Sequence, residues 1–305
     1  MTARVSVALF AASALTAACV GGKTDSPVET LPTPEVQFGY AEVSGGRLYY
    51  EVQGSGDALV LIHGALGDRR HWNHQLDALA SEFRVVRYDV RGHGKSSLPV
   101  EGELYTDYED LAALLDHLDI SKAHIGGWSM GSGLAIDFVL AYPERAMSLI
   151  PIGPWVRGYS SPAVQSMMSD IRAANAALTE GGAAAALDAW METPFFAATV
   201  RDPSAGAEFA RIAADYPWWF HLHPSPRRFF EPIAIERIAD IRVPTLIMTA
   251  EHDVPADREV ADLLDESVPH SRKVVMAGTG HLMHMEKPDE FNQYLIDFIR
   301  KVSGG

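Results

Sequence analysis

Short, uninterrupted apolar runs separated by amphipathic stretches constrain this chain's fold more than any other feature. Ala58–Ile62 (ALVLI), Val85-Val86 with their neighbours, and Thr245–Met248 (TLIM) have this character. Such runs suit strands buried on both faces, as in a parallel sheet covered by helices. Between the first two, Trp72, Leu76 and Leu79 recur at helical spacing, which makes a strand–helix–strand unit. The alternation continues with a helix marked by Tyr108, Leu111, Leu115 and Leu118, a strand at Ala123–Gly126, a helix at Leu134–Tyr142 and a strand at Met147–Ile152. Arg47–Gln53 alternates and stops at Gly54, as an early antiparallel strand does. From Trp155 to about Ala239 the chain becomes helical, Ala-rich and aromatic. The strand period then returns, with a helix at Asp257–Leu264, a strand at Lys273–Met276 and a closing helix at Pro288–Val302. The predicted fold class is α/β: a mostly parallel, doubly wound sheet whose core (residues 36–154 and 240–305) is interrupted by a helical cap (155–239).

Composition narrows the function. With 25 basic and 40 acidic residues the formal charge is −15, which repels a phosphate backbone, so no nucleic-acid partner is expected. One cysteine excludes an internal disulfide and a Cys-rich zinc site. That residue, Cys19, closes an N-terminal stretch with a cation at Arg4, an apolar run from Val5 to Leu15 and small residues at 17 and 18. The layout is that of a secretory signal peptide (1–18), and the residues before Cys19 resemble the bacterial lipoprotein box. Lipidation at Cys19 is expected to anchor an exported protein to a membrane through a flexible tether (19–35); without it the protein would be periplasmic or secreted.

The chemistry is written most strongly in Gly127-Trp128-Ser129-Met130-Gly131, a G-x-S-x-G between a predicted strand and a predicted helix. In that frame the serine is a nucleophile on a sharp turn. A hydroxyl needs a base, and the base an orienting acid. Among 12 histidines, His281 follows the glycines at 278 and 280 just after the last strand and is preferred to His284. Asp253 follows TLIMTA at another strand's C-terminal edge, whereas Asp257 and Asp262 fall on a helix, where exposed acids are the ordinary case. The order Ser129, Asp253, His281 suits this mechanism. Oxyanion donors are expected from the backbone N–H groups of Met130 and of Ala65 in His63-Gly64-Ala65-Leu66-Gly67, with Leu66 the weaker candidate and His63 anchoring the loop. The histidine pairs 71/74, 221/223 and 281/284 lack any accompanying HExxH helix or cysteine, so no metal is expected. No dinucleotide or phosphate-loop fingerprint is present, so no cofactor is expected either. Arg227-Arg228 could meet an acidic substrate, but a solvated pair is the preferred reading.

Through HGALG, YDVRGHGKS at Tyr88–Ser96, GWSMG, EHD and GHLMHMEKP, the chain resembles the α/β-hydrolase superfamily over Val36 to Val302. It is similar in particular to single-chain esterases, enol-lactonases, C–C hydrolases and cofactor-free haloperoxidases or perhydrolases. The resemblance implies a helical cap over Ser129 that binds an apolar group of a small ester or lactone. Serine at 129 departs from the dehalogenases and epoxide hydrolases, which carry aspartate there. Perhydrolysis or C–C cleavage on the same triad, and a non-catalytic lipoprotein binding module, are the alternatives.

Overall fold

The computed structural model describes residues 35–199 and 202–304; the expected signal peptide, Cys19 and nearly all of the expected tether lie outside these residues. The chain runs through β1 (Gln37–Val43), β2 (Gly46–Gln53), β3 (Ala58–Ile62), α1 (Asn73–Ala80), β4 (Arg84–Tyr88), β5 (Tyr105–Thr106), α2 (Asp107–His117), β6 (Ala123–Trp128), α3 (Met130–Ala141) and β7 (Ala146–Ile152). A largely helical segment follows, with α4 (Pro162–Met191), α5 (Pro203–Ala213), α6 (Trp219–Leu222) and the short β8 (Arg227–Arg228). It ends with β9 (Thr245–Ala250), α7 (Pro255–Ser267), β10 (Ser271–Met276), α8 (Met283–Glu286) and α9 (Pro288–Ser303).

Eight strands form one sheet in the order β1-β2-β4-β3-β6-β7-β9-β10. The pairs β1/β2 and β2/β4 are antiparallel, and every later pairing is parallel. The apolar runs explain the layering. Leu59, Leu61 and Val85 face one buried cluster, while Val60, Ile62 and Val86 face another, because successive side chains leave a strand on opposite sides. The first cluster continues into the segment between β7 and β9 through Val164, Met167, Trp190, Phe195, Phe196 and Phe209. α4 breaks at Gly182, whose φ of 76° lies outside the helical region. Among the described residues, no helix is long and apolar enough to cross a membrane.

The strand order reverses beside β3: the chain passes from β3 to β4 on one side, then crosses back to β6 on the other. Ligand crevices in open α/β sheets form at the carboxyl ends of strands flanking such a switch. The loop after β3 (His63–Gly67) and the turn after β6 (Ser129) both lie there. A buried ion network braces the first. Arg69 Nε meets Glu51 at 2.7 Å and its Nη1 meets Asp89 at 3.0 Å, while Arg87 Nη2 meets Glu51 at 2.6 Å. His63 accepts from the Val90 N–H at Nε2 (3.0 Å), which places its proton on Nδ1, facing the Gly64 carbonyl at 2.7 Å. Burial lowers its pKa, so the ring serves as a neutral strut between two loops.

Two features were not legible in the sequence. The edge strand β1 was not separated from β2, and the pairing of β5 with β8 joins segments more than a hundred residues apart, Tyr105 opposite Arg227. Two-residue strands carry no periodicity to detect.

Candidate active site

Ser129 sits between β6 and α3 with φ 54° and ψ −115°, a conformation that costs a side-chain-bearing residue roughly 1–3 kcal/mol. The glycines of the motif make room for it. A Cβ at Gly127 would lie 2.1 Å from the Gly131 carbonyl oxygen, and one at Gly131 would lie 2.4 Å from the Ile62 carbonyl oxygen. Hydrogen bonds fix the strained residue: its N–H donates to Ile152 (2.8 Å), and its carbonyl accepts from both the N–H (2.9 Å) and the hydroxyl (2.7 Å) of Ser132. The Ser132 hydroxyl in turn accepts the Trp155 N–H at 2.8 Å, tying the turn to the start of the segment beyond β7. The Ser132 hydroxyl therefore adds a brace that the sequence did not reveal.

His281 and Asp253 meet directly, Nδ1 lying 3.0 and 3.1 Å from the two carboxylate oxygens. A carboxylate only accepts, so Nδ1 holds the proton and Nε2 is left to act on another group. The ring lies between Trp128 and Phe195, with centroids at 5.2 and 4.8 Å, and the Trp128 indole N–H donates to the His281 carbonyl at 2.8 Å. Behind it, a Cβ at Gly153 would stand 2.9 Å from His281 Cε1, so a glycine there lets the imidazole sit where it does. His284 is placed differently. Burial drives its pKa well below 6.5, it packs against Trp72 and Trp128, and among the described residues neither ring nitrogen meets a well-aligned hydrogen-bond partner.

Asp257 corrects the reading of helix acids as exposed. It is 3% exposed, and its Oδ2 lies 3.0 Å from His281 Nδ1. Burial above all, then the neighbouring Asp253, raises its pKa to about 7. His281 is raised to about 10: burial opposes its charge, but the two carboxyls more than offset that. Asp257 Oδ2 makes no aligned hydrogen bond despite its proximity, whereas Asp253 makes two. Asp253 is thus the oriented partner and Asp257 a second carboxyl that near neutrality shares a proton with the group. The exposure of a helical residue is set by what packs on it, and α7 turns this position inward. Among the described residues, Asp253, Asp257 and His281 are the cluster able to offer three metal ligands, their atoms lying within 4.8 Å. A cation there would have to displace the Nδ1 proton that binds Asp253.

Ser129, Met130, Ala65, Leu66, Asp257 and His281 line one cavity of about 180 Å³, walled otherwise mainly by Trp128, Trp155, Met167, Met168, Ile171, Trp190, Phe195 and Phe196. Met130 opens α3, where backbone N–H groups have no helical acceptor. Ala65 and Leu66 both reach the cavity, Leu66 with φ 58°. Arg227 lines the cavity as well, so it is not half of a solvated pair; Arg228 alone is exposed.

Residues 59–294 match the alpha/beta hydrolase family. The chain belongs to that family. It is 25% identical to the carboxylesterase YbfK of Bacillus subtilis, over 90% of this chain and 91% of that one. A thermophilic esterase from Thermogutta terrifontis superposes with a TM-score of 0.73 at 26% identity, covering 87% of this chain and 99% of the other. The enol-lactonase of Burkholderia xenovorans LB400 superposes with a TM-score of 0.72 at 25% identity, covering 86% and 99%.

Proposed function

We propose that this hydrolase cleaves a small carboxylic ester or lactone through an acyl-enzyme on Ser129. The observation that supports this best is the His281–Asp253 contact at 3.0 Å on the wall of the same apolar cavity that Ser129 enters from its strained turn. In this reading His281 Nε2 takes the Ser129 proton as the hydroxyl attacks the carbonyl carbon. The N–H groups of Met130 and Ala65 receive the developing oxyanion, each contributing about 3 kcal/mol to the transition state. Collapse of the tetrahedral intermediate passes the proton to the leaving alcohol, and a water activated by the same nitrogen then releases the acid. Asp253 keeps the imidazole in the required tautomer. The aromatic segment between β7 and β9 acts as a cap that excludes water and accepts the apolar part of the substrate. A leader ending before Cys19, lipidated there, would place this activity outside the cytoplasm at a membrane surface.

A fluorophosphonate probe and an aryl-ester panel test the assignment together. The wild type should label at Ser129 and hydrolyse short aryl esters, and Ser129→Ala should lose both, with a rate loss of about a million-fold or more. Labelling that survives Ser129→Ala, or no hydrolysis across the panel, refutes it.

A further inference from the structure

The described cavity wall contains a guanidinium whose surroundings leave one edge unused. Arg227 lies on β8, whose pairing with β5 sets it opposite Tyr105, two residues before Asp107 at the start of α2. Its Nε is 3.0 Å from Asp107 Oδ2 and 3.4 Å from the Tyr105 hydroxyl, and its plane stacks on Phe220 with Cζ 4.4 Å from the ring centre. These contacts hold the group at its Nε side and across its face. On the other side Nη1 touches the Met130 sulfur at 4.0 Å, and Nη2 is buried with no hydrogen-bond partner among the described residues. The Asp107 contact is one-sided: Asp107 Oδ1 is likewise unpartnered, so the carboxylate does not reach Nη2. The side chain is only 10% exposed. An unsatisfied buried charged donor costs more than a neutral one, and folded proteins rarely leave it so unless a water or a ligand completes it. Burial lowers its pKa, but Asp107 and the hydroxyls of Tyr105 and Tyr216 outweigh that, so the group stays charged. A second guanidinium in the wall, Arg157, is bound to Asp137 at 2.7 Å and stacked on Phe229.

We infer that Arg227 is a substrate-binding residue whose Nη edge receives a carboxylate, so that the preferred ester or lactone carries an anionic group a short chain away from the reacting carbonyl. The inference rests on the hydrolase reading and deepens it. Arg227 touches the side chain of Met130, the residue after Ser129, and lines the same cavity as the serine. A chain of net charge −15 would otherwise repel an anionic substrate, and the buried cation gives it a local counter-charge. The fixed fork geometry suits a planar carboxylate that can accept two parallel N–H bonds.

The test compares kcat/KM for the 4-nitrophenyl monoesters of glutarate and adipate with the same compounds methylated at the free carboxylate. A second pair, 4-carboxyphenyl and 4-carbamoylphenyl butyrate, puts the charge on the alcohol side. The wild type should prefer the carboxylate in at least one pair by about tenfold to a hundredfold, the range for a hydrogen bond to a charged group. Arg227→Gln should abolish that preference, and Arg227→Lys should keep part of it. The double variant Arg227→Gln with Asp107→Asn removes both charges and guards against misfolding around a lone buried carboxylate; it too should show no preference. Hydrolysis of the neutral esters with no preference in the wild type, or a preference that survives Arg227→Gln, overturns the inference and leaves the hydrolase reading standing. If no ester is cleaved, the hydrolase reading fails instead. Quenching of the cavity tryptophans by glutarate, compared with butyrate, then decides the matter: binding that needs Arg227 supports the carboxylate site, and equal or absent binding overturns it.

Discussion

Replacing Asp257 by asparagine probes how His281 is held between two carboxyls. Its Nδ1 lies 3.0 Å from an oxygen of each. At an effective dielectric of about 20, unit charges roughly 4 Å apart interact by ~4 kcal/mol, which corresponds to roughly 3 pKa units at about 1.4 kcal/mol each. Asp257 is raised to about 7, so near neutrality it carries its charge only part of the time and imposes a fraction of that limit. The amide stabilises the imidazolium less, so His281 should release its proton at lower pH. The acid limb of the kcat/KM profile for an aryl ester is therefore expected to move down by about 1–2 units in Asp257→Asn, with its plateau largely kept. Asp253→Asn should instead cost about 10,000-fold in kcat, because it removes the acceptor that fixes the tautomer. Stability carries the same sign. Asp257, raised from 3.8 to about 7, contributes stability that is complete below its unfolded pKa and lost as pH rises through 7. His281, raised from 6.5 to about 10, contributes stability complete below 6.5 and lost towards 10. Urea midpoints should accordingly fall as pH rises, and Asp257→Asn should flatten the part between pH 4 and 7. A limb that stays put or moves up, or a rate loss matching that of Asp253→Asn, would refute the division of roles between the two acids.

Three further outcomes are expected. Gly153→Ala forces alanine to φ 50° and sets its Cβ 2.9 Å from the His281 ring; stability should fall by about 1–2 kcal/mol while kcat falls much further, and thermal melts beside ester kinetics separate the two. Arg69→Met removes the guanidinium that pairs with Asp89 in the core and leaves Glu51 with Arg87 alone, so denaturant unfolding should show a loss of about 3–5 kcal/mol. In a bacterial host the full-length chain should fractionate with membranes and carry a lipid at its mature N-terminus, and Cys19→Ala should be soluble; mass spectrometry finding an unmodified Cys19 in the wild type would sink the anchor.

The two kinds of information divide along the range over which each physical effect acts. Strand and helix periods are local, so ALVLI, TLIM and the helical faces around Leu76 and Leu111 could be placed from the residues alone, as could the turn that carries Ser129. Chain order and the glycines around His281 were enough to nominate Asp253 and His281. Whether a polar side chain is buried, and against what, depends on elements distant in the chain, and there the local pattern gave the wrong answer or none. Asp257 looks like any helix acid until α7 packs it against His281. Arg227 looks like half of a solvated pair until β8 pairs with β5 and sets it beside Asp107, 120 residues earlier. Ser132, Trp128 and Gly153 likewise acquire their roles only through Trp155 and the loop after β10. The family, the sheet and the turn that carries Ser129 were therefore readable in sequence, because backbone propensity and apolar period are written residue by residue. The charge of the cavity was decided by tertiary structure, because desolvation and ion pairing are properties of neighbours that no local stretch contains.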